Sequence, residues 1–155
     1  MEMKQLSRAE RNNNPGNVRN NTQHFIGEVV PSQDKAFKQF IDMEHGFRAM
    51  WALLKTYYHV HRLRTINDIL SRYAPTQDHN NTKAYAEFVA AKAGKKVDER
   101  LYYNYDSMGR VVLAMAEYES GYVRPEWEAC CKQGYELLKA DRLKELERKN
   151  KGRQK

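Results

Sequence analysis

The sequence has few cysteines, and their placement limits its chemistry. Cys130 and Cys131 are the only two in 155 residues, and adjacent cysteines rarely bridge each other. We therefore predict reduced, structural thiols. Metal sites need ligands at defined spacings, and the cysteines and the five histidines show no such pattern. Neither a metal site nor a cofactor is predicted.

Long apolar runs are also missing. No stretch reaches the length that a membrane-crossing helix needs, so no membrane insertion is predicted. The opening letters MEMKQLSRAER lack the apolar core of a secretory signal. We expect synthesis in the cytoplasm without a signal peptide, and action outside the cell would need another export route.

Positive charge is abundant but unevenly distributed. The net charge is +7, and residues 138–155 hold eight basic and three acidic residues, a net +5. This distribution predicts one globular domain over residues 1–137 and a basic, charged helical tail over residues 138–155. Such a tail can attract an anionic polymer, either nucleic acid or an acidic cell wall.

Hydrophobic periodicity predicts a mainly α fold, of the α+β kind. From Glu44 to His61, apolar residues recur at i, i+3, i+4 and i+7, which indicates a central helix with Asp42 as its cap. Thr65 is predicted to cap a shorter helix, which ends at Pro75.

Further helical and strand signals lie on either side of these segments. A helix is predicted to begin at Asn81 or Thr82 and to stop at Gly94. Residues 25–30 and 36–40 are β-prone and are separated by PSQD, which predicts a small β-hairpin.

A late helix carries the strongest candidate for chemistry, in DSMGRVVLAMAEYESG. Asp106 or Ser107 is predicted to cap it. Glu119 continues its apolar stripe, whereas Glu117 does not, and Gly121 marks its end. Partial burial and the helix dipole would both favour the neutral carboxyl of Glu119, which a general acid needs. The alternative is that Glu119 emerges into solvent as the helix ends.

Turn-forming residues cluster early, in RNNNPGNVR at positions 11–19. Asparagine, proline and glycine together predict a rigid turn. Side-chain amides offer donors and acceptors, which suits a surface that binds polyhydroxylated or acetamido ligands. An ordinary loop is the alternative.

Several separated motifs resemble, in the same order, those of a family of phage and prophage proteins with a lysozyme-like fold. They are RNNNPGN, the pair Phe37 and Phe40, GFRAMWALLKTYY, TINDILSRYAP and NNTKAYAEFVA, within about residues 7–122. Tyr73 stands where that family commonly has a tryptophan before Ala-Pro, and the usual tryptophan is also missing near NNTQHFIGE. We therefore expect an altered sugar-stacking surface.

A second resemblance concerns AMAEYESG, which is similar to the A-x-x-E-S-G segment of bacterial glucosaminidases, with the elements in permuted order. Together the resemblances imply a lysozyme-like helical domain that cleaves peptidoglycan glycan strands as a muramidase, glucosaminidase or lytic transglycosylase. They imply action at the cell wall, as a phage virion component or alongside other virion proteins. Glu119 would be the acid, and the substrate-binding candidates are Asn13, Asn14, Asn17, Arg19, Tyr85 and Tyr122.

The second catalytic group is open. Glu28 and Asp34 lie in the predicted hairpin, which would form the opposite lip of the cleft. If neither approaches Glu119, a lytic transglycosylase with one acid/base is favoured over a hydrolase. Glu44 is the alternative acid, although the start of a helix favours its ionised form. Glu10 is a further candidate.

Two other classes of function stay open. One is a catalytically inactive virion or cell-wall-binding structural protein that keeps the fold. The other is a basic nucleic-acid-binding protein that uses the tail, which the resemblance favours less.

Overall fold

The computed structural model describes residues 5–153 and confirms a mainly helical fold with one small antiparallel sheet. A 3-10 turn spans Thr76–Asp78. The other elements are α1 (Arg8–Arg11), β1 (Glu28–Val29), β2 (Gln39–Phe40), α2 (Met43–His59), α3 (Ile66–Tyr73), α4 (Thr82–Ala93), α5 (Tyr105–Ser120) and α6 (Trp127–Arg153).

Three helices begin where the sequence predicts, at the caps Asp42 and Thr65 and, of the two residues proposed for the third start, after Asn81. The side chains of Asp42, Thr65 and Asn81 each accept a backbone N–H in the first turn of α2, α3 and α4. Helix α4 ends at Gly94, whose φ of 67° suits glycine. Local polar chemistry therefore determines these helix ends.

The predicted cap of α5 is wrong. The helix begins after Asn104, whose side chain accepts the backbone N–H of Ser107 at 2.7 Å. The Ser107 hydroxyl in turn accepts the backbone N–H of Tyr102 at 2.9 Å. Asn104 is therefore the cap, Ser107 lies in the third position of the helix, and Asp106 lies in its first turn.

The hairpin is shorter than predicted. Strands β1 and β2 pair only over two residues each, with Glu28 opposite Phe40. The chain before β2 pairs instead with the end of the asparagine turn, since Lys38 N–H donates to the Val18 carbonyl at 2.9 Å. The hairpin and the asparagine turn are therefore one connected unit.

The core is centred on α2, which packs against α6. Trp51 and Trp127 are fully buried, and the Trp51 indole N–H donates to the Cys131 carbonyl at 3.1 Å. Gly134 allows close contact, because a Cβ there would lie 2.7 Å from the Arg48 backbone nitrogen. Cys130 and Cys131 are free thiols, the second fully buried.

Helix α6 continues without a break through residue 138, and the domain boundary predicted there stays a prediction. Residues 1–4, part of the predicted domain, and 154–155, the end of the predicted tail, lie outside the described residues. Every helix within residues 5–153 is too short or too polar to cross a membrane.

Candidate functional site: a glutamate in a cleft

A cleft of about 420 Å³ opens where the asparagine turn meets the end of α5. Helix α2 and the segment after α3 complete its walls. The polar and aromatic residues that line it are Asn17, Arg19, Asn21, Phe37, Tyr57, Arg72, Tyr73, Asp78, Asn80 and Glu119.

Glu119 reaches this cleft from the last turn of α5. The buried stripe of Val112 and Met115 leads to it, and Gly121 follows the helix with φ 84°. Glu119 is half-buried at the cleft. Glu117 faces another way and forms an ion pair with Lys92 of α4 at 3.3 Å. The prediction that these two carboxylates meet different environments is confirmed.

The surroundings of Glu119 favour its protonated form. Burial raises its pKa above the ordinary value for glutamate. Hydrogen bonds to Tyr85 and Asn17, and the charge of Arg19, lower the pKa of Glu119, but they do not cancel the effect of burial. The carboxyl group therefore keeps its proton to a higher pH than an exposed glutamate does.

Asn17 connects the asparagine turn to this carboxylate. Its backbone is left-handed, with φ 48°, which asparagine tolerates. Its amide group lies 3.2 Å from the Glu119 backbone oxygen and 3.3 Å from its Oε1, and donates to both. Among the described residues, its buried Oδ1 has no hydrogen-bond partner. Asn17 thus fixes the orientation of Glu119.

The other asparagines of the turn have structural roles. Asn14 is fully buried, and its amide group donates to the carbonyls of Val18 and Lys38 at 2.9 Å each. A substrate cannot reach it, so its predicted binding role is wrong. Asn13 donates to the Phe40 carbonyl at 3.2 Å and does not line the cleft. Asn17 and Arg19 are the predicted binding residues that do.

Tyr85 has a different role from sugar stacking. Its ring is buried and stacks on Tyr118, with centroids 3.9 Å apart. The hydroxyl donates to the Met115 carbonyl at 3.3 Å and also stabilises the ionised form of Glu119. Tyr85 does not line the cleft, so its predicted contact with substrate is corrected to positioning of the acid.

Tyr122 and Glu10 form a separate cluster. The Tyr122 hydroxyl donates to the Glu10 carboxylate, which Arg124 binds at 2.9 and 3.0 Å. The hydrogen bond from Arg124 is the largest effect that lowers the pKa of Glu10, so this carboxylate stays ionised. Neither Tyr122 nor Glu10 lines the cleft.

The hairpin carboxylates are also held in ion pairs away from the cleft lining. Glu28 binds the buried Lys38 ammonium at 3.1 Å. Asp34 accepts two bonds from the Arg8 guanidinium, at 2.5 and 2.7 Å, which holds its pKa well below the usual range. Glu28 and Asp34 were expected to form the lip of the cleft that faces Glu119. Neither residue lines the cleft, because Lys38 and Arg8 hold their carboxylates in ion pairs.

Glu44 occupies the interface between α2 and α6. Its Oε1 accepts the Cys130 thiol at 3.4 Å. It does not line the cleft, so the geometry gives the alternative acid no access to a ligand there. Glu119 and Asp78 are the described carboxylates that line it.

Part of the cleft wall, formed by residues that follow α3, was not predicted from the sequence. Asp78 lies in the exposed 3-10 turn, and Asn80 follows it. Tyr73 donates to the Gly16 carbonyl, which joins this wall to the asparagine turn. The departure at Tyr73 from the usual tryptophan was visible in the sequence, but a single aspartate in a polar loop gave no signal.

Fold and site together define a mainly helical protein with one half-buried glutamate at a cleft. No protein-family model matches the chain. It is 32% identical over 123 residues to Protein P5 of Pseudoalteromonas phage PM2, a match that covers 77% of this chain and 75% of that protein. The chain belongs to the family of this phage protein.

Proposed function

We propose that this protein is a peptidoglycan-cleaving glycosidase of phage or prophage type, with a lysozyme-like fold, and that Glu119 is its general acid. One observation carries the proposal: Glu119 is half-buried at a cleft and its pKa is raised by burial. A carboxylic acid with a raised pKa keeps its proton to a higher pH, and the protonated group can donate to the oxygen of a glycosidic bond.

The neighbours of Glu119 suit both halves of a proton transfer. Before transfer, burial raises the pKa of Glu119 and so favours the neutral acid. After transfer, the Asn17 amide donates to the new carboxylate, the Tyr85 hydroxyl can turn from the Met115 carbonyl toward it, and the Arg19 charge lies near it. Groups that stabilise charge where it develops lower the barrier. Asn17 and Tyr85 therefore position and stabilise the acid rather than exchange protons.

The presence or absence of a second catalytic carboxylate distinguishes the possible reactions. Asp78 lines the same cleft, from an exposed turn, and could activate water or stabilise a positively charged sugar. A muramidase or glucosaminidase needs such help from a carboxylate or a substrate acetamido group. A lytic transglycosylase uses Glu119 alone as acid and then base. Asp78, rather than Glu28 or Asp34, is therefore the candidate for the second catalytic carboxylate.

Digestion of purified peptidoglycan tests this proposal. Wild type, Glu119→Gln and the matched neighbour Glu117→Gln are incubated with it, and product masses are recorded after circular dichroism has checked folding. We expect the first variant to lose at least about a hundredfold in rate, since general acid catalysis contributes about 10²- to 10⁴-fold. Anhydro products identify a transglycosylase, and reducing ends identify a hydrolase. Equal activity of Glu119→Gln and wild type contradicts the proposal.

A second candidate is a catalytically inactive virion or cell-wall-binding structural protein. It is favoured by the phage origin of the relative and by Asp78 being exposed rather than shielded. In that case, wild type would sediment with peptidoglycan and release no fragments, and its partners would include other virion proteins. Retained binding by Arg19→Gln, a cleft variant, would argue against use of this cleft.

A further inference from the structure

A second concave surface lies on the opposite side of the core helices, between α2 and α6. This groove has a volume of about 350 Å³. Five cations line it, two from α2 and three from α6, together with the acids Asp141 and Glu145. The cations are Arg48, Lys55, Arg142, Lys144 and Arg148.

The charge of the groove is only partly neutralised from within. The Arg48 guanidinium is buried and binds Asp141 at 3.0 Å. Within residues 5–153, the pair of Arg48 and Asp141 is the only ion pair within 4 Å that involves a cation of the groove. Five cations and two acids line the groove, so its lining keeps a net charge of +3.

The ammonium group of Lys55 is destabilised by burial and by its position among these cations. Its side chain is half-buried, and burial lowers its pKa, as does the nearby charge of Arg142. The charge of Glu145 opposes this effect without cancelling it. A bound anion would lower the repulsion between these cations and compensate for the burial of the ammonium.

We infer that the α2–α6 groove binds a phosphate of the nucleic-acid backbone, with Lys55 and Arg142 as its principal contacts. Guanidinium forks match phosphate oxygens, and an ammonium adds a compact point charge. Lys144, Arg148 and Lys151 follow at i, i+4 and i+7 along α6, about 10 Å in all. A linear row that continues from a groove suits a linear polyanion with closely spaced charges.

This site is independent of the glycan cleft. None of the groove residues lines the cleft, and the groove is built from α2 and α6 rather than from the asparagine turn. The inference also differs from simple attraction to a charged tail, because Lys55 lies in the domain body. A nucleic-acid contact here would survive loss of glycosidase activity.

The test is fluorescence anisotropy of labelled short duplex DNA with the full chain over a range of salt. Lys55→Gln/Arg142→Gln removes two groove cations, and Lys83→Gln/Lys139→Gln removes two exposed cations that do not line the groove. Each lost phosphate contact changes the slope of log affinity against log salt by about 0.9. We expect the groove variant to reduce the slope by about 2 and the control variant to leave it unchanged. Lys55→Arg should keep the wild-type slope.

Three results would overturn the inference. They are equal weakening by both double variants, absence of binding by wild type at low salt, and binding of phosphatidylglycerol vesicles without binding of DNA. Circular dichroism of each variant separates lost contacts from lost folding.

Discussion

Asn14 offers a quantitative test of how the asparagine turn is held. Its side chain is fully buried and makes three hydrogen bonds: it accepts the Val18 N–H and donates to the Val18 and Lys38 carbonyls, all at 2.9 Å. In Asn14→Ala the Val18 carbonyl keeps the bond from the Lys38 N–H. The Val18 N–H and the Lys38 carbonyl each lose the partner that Asn14 provides.

Each buried polar group left unpaired costs about 1–3 kcal/mol, and two groups are left unpaired, so Asn14→Ala should lower the free energy of unfolding by about 2–6 kcal/mol. Thermal or urea unfolding measures this change, with a Tm about 4–24 °C lower. Asn20→Ala is the matched control, since Asn20 is exposed and its side chain makes one bond, to the Asp34 carbonyl. A loss below about 0.5 kcal/mol, typical of surface positions, would refute this reasoning.

Three further predictions concern the acid, an ion pair and a helix contact. Asn17→Ala removes a hydrogen bond that lowers the pKa of Glu119, so the alkaline limb of the pH–activity profile should move to higher pH; a shift to lower pH would refute this role. The pKa of Glu10 is lowered in the folded state, so its contribution to stability is present above its unfolded pKa of about 4.3 and is lost as pH falls through the folded value. Acid unfolding of Glu10→Gln should therefore show a shallower loss below that pH than wild type, and parallel curves would contradict the assignment. Gly134→Ala places a Cβ 2.7 Å from the Arg48 backbone nitrogen and should cost about 1–3 kcal/mol, whereas Gly152→Ala, which meets open space, should cost nothing measurable in the same unfolding experiment.

Local signals in the sequence predicted much of the fold. Asp42 and Thr65 were predicted as caps, and Asn81 or Thr82 as a helix start, because a short polar side chain before an apolar stripe needs only its own helix to act as a cap. The position of Glu119 was predicted in the same way. The hydrophobic periodicity extends the buried stripe of α5 to this residue, and Gly121 marks the end of the helix. These features depend on neighbours within a few residues.

Features that depend on distant neighbours were not predictable. The burial of Asn14 follows from pairing between Val18 and Lys38, and turn composition alone does not show it. The turn that carries Asp78 has no periodic pattern that would place this residue in the same cleft as Glu119. The ion pair that holds Asp34 away from the cleft is formed with Arg8, which is 26 residues away in the sequence.

The pH titration of the Glu119 carboxyl carbon is the most direct test of the central claim, that burial keeps this acid protonated. Carboxyl ¹³C NMR follows the titration, and comparison with Glu119→Gln assigns the signal. The structure predicts a pKa above the ordinary value for glutamate, about 4.3. A pKa at or below that value would contradict the assignment of Glu119 as a proton donor.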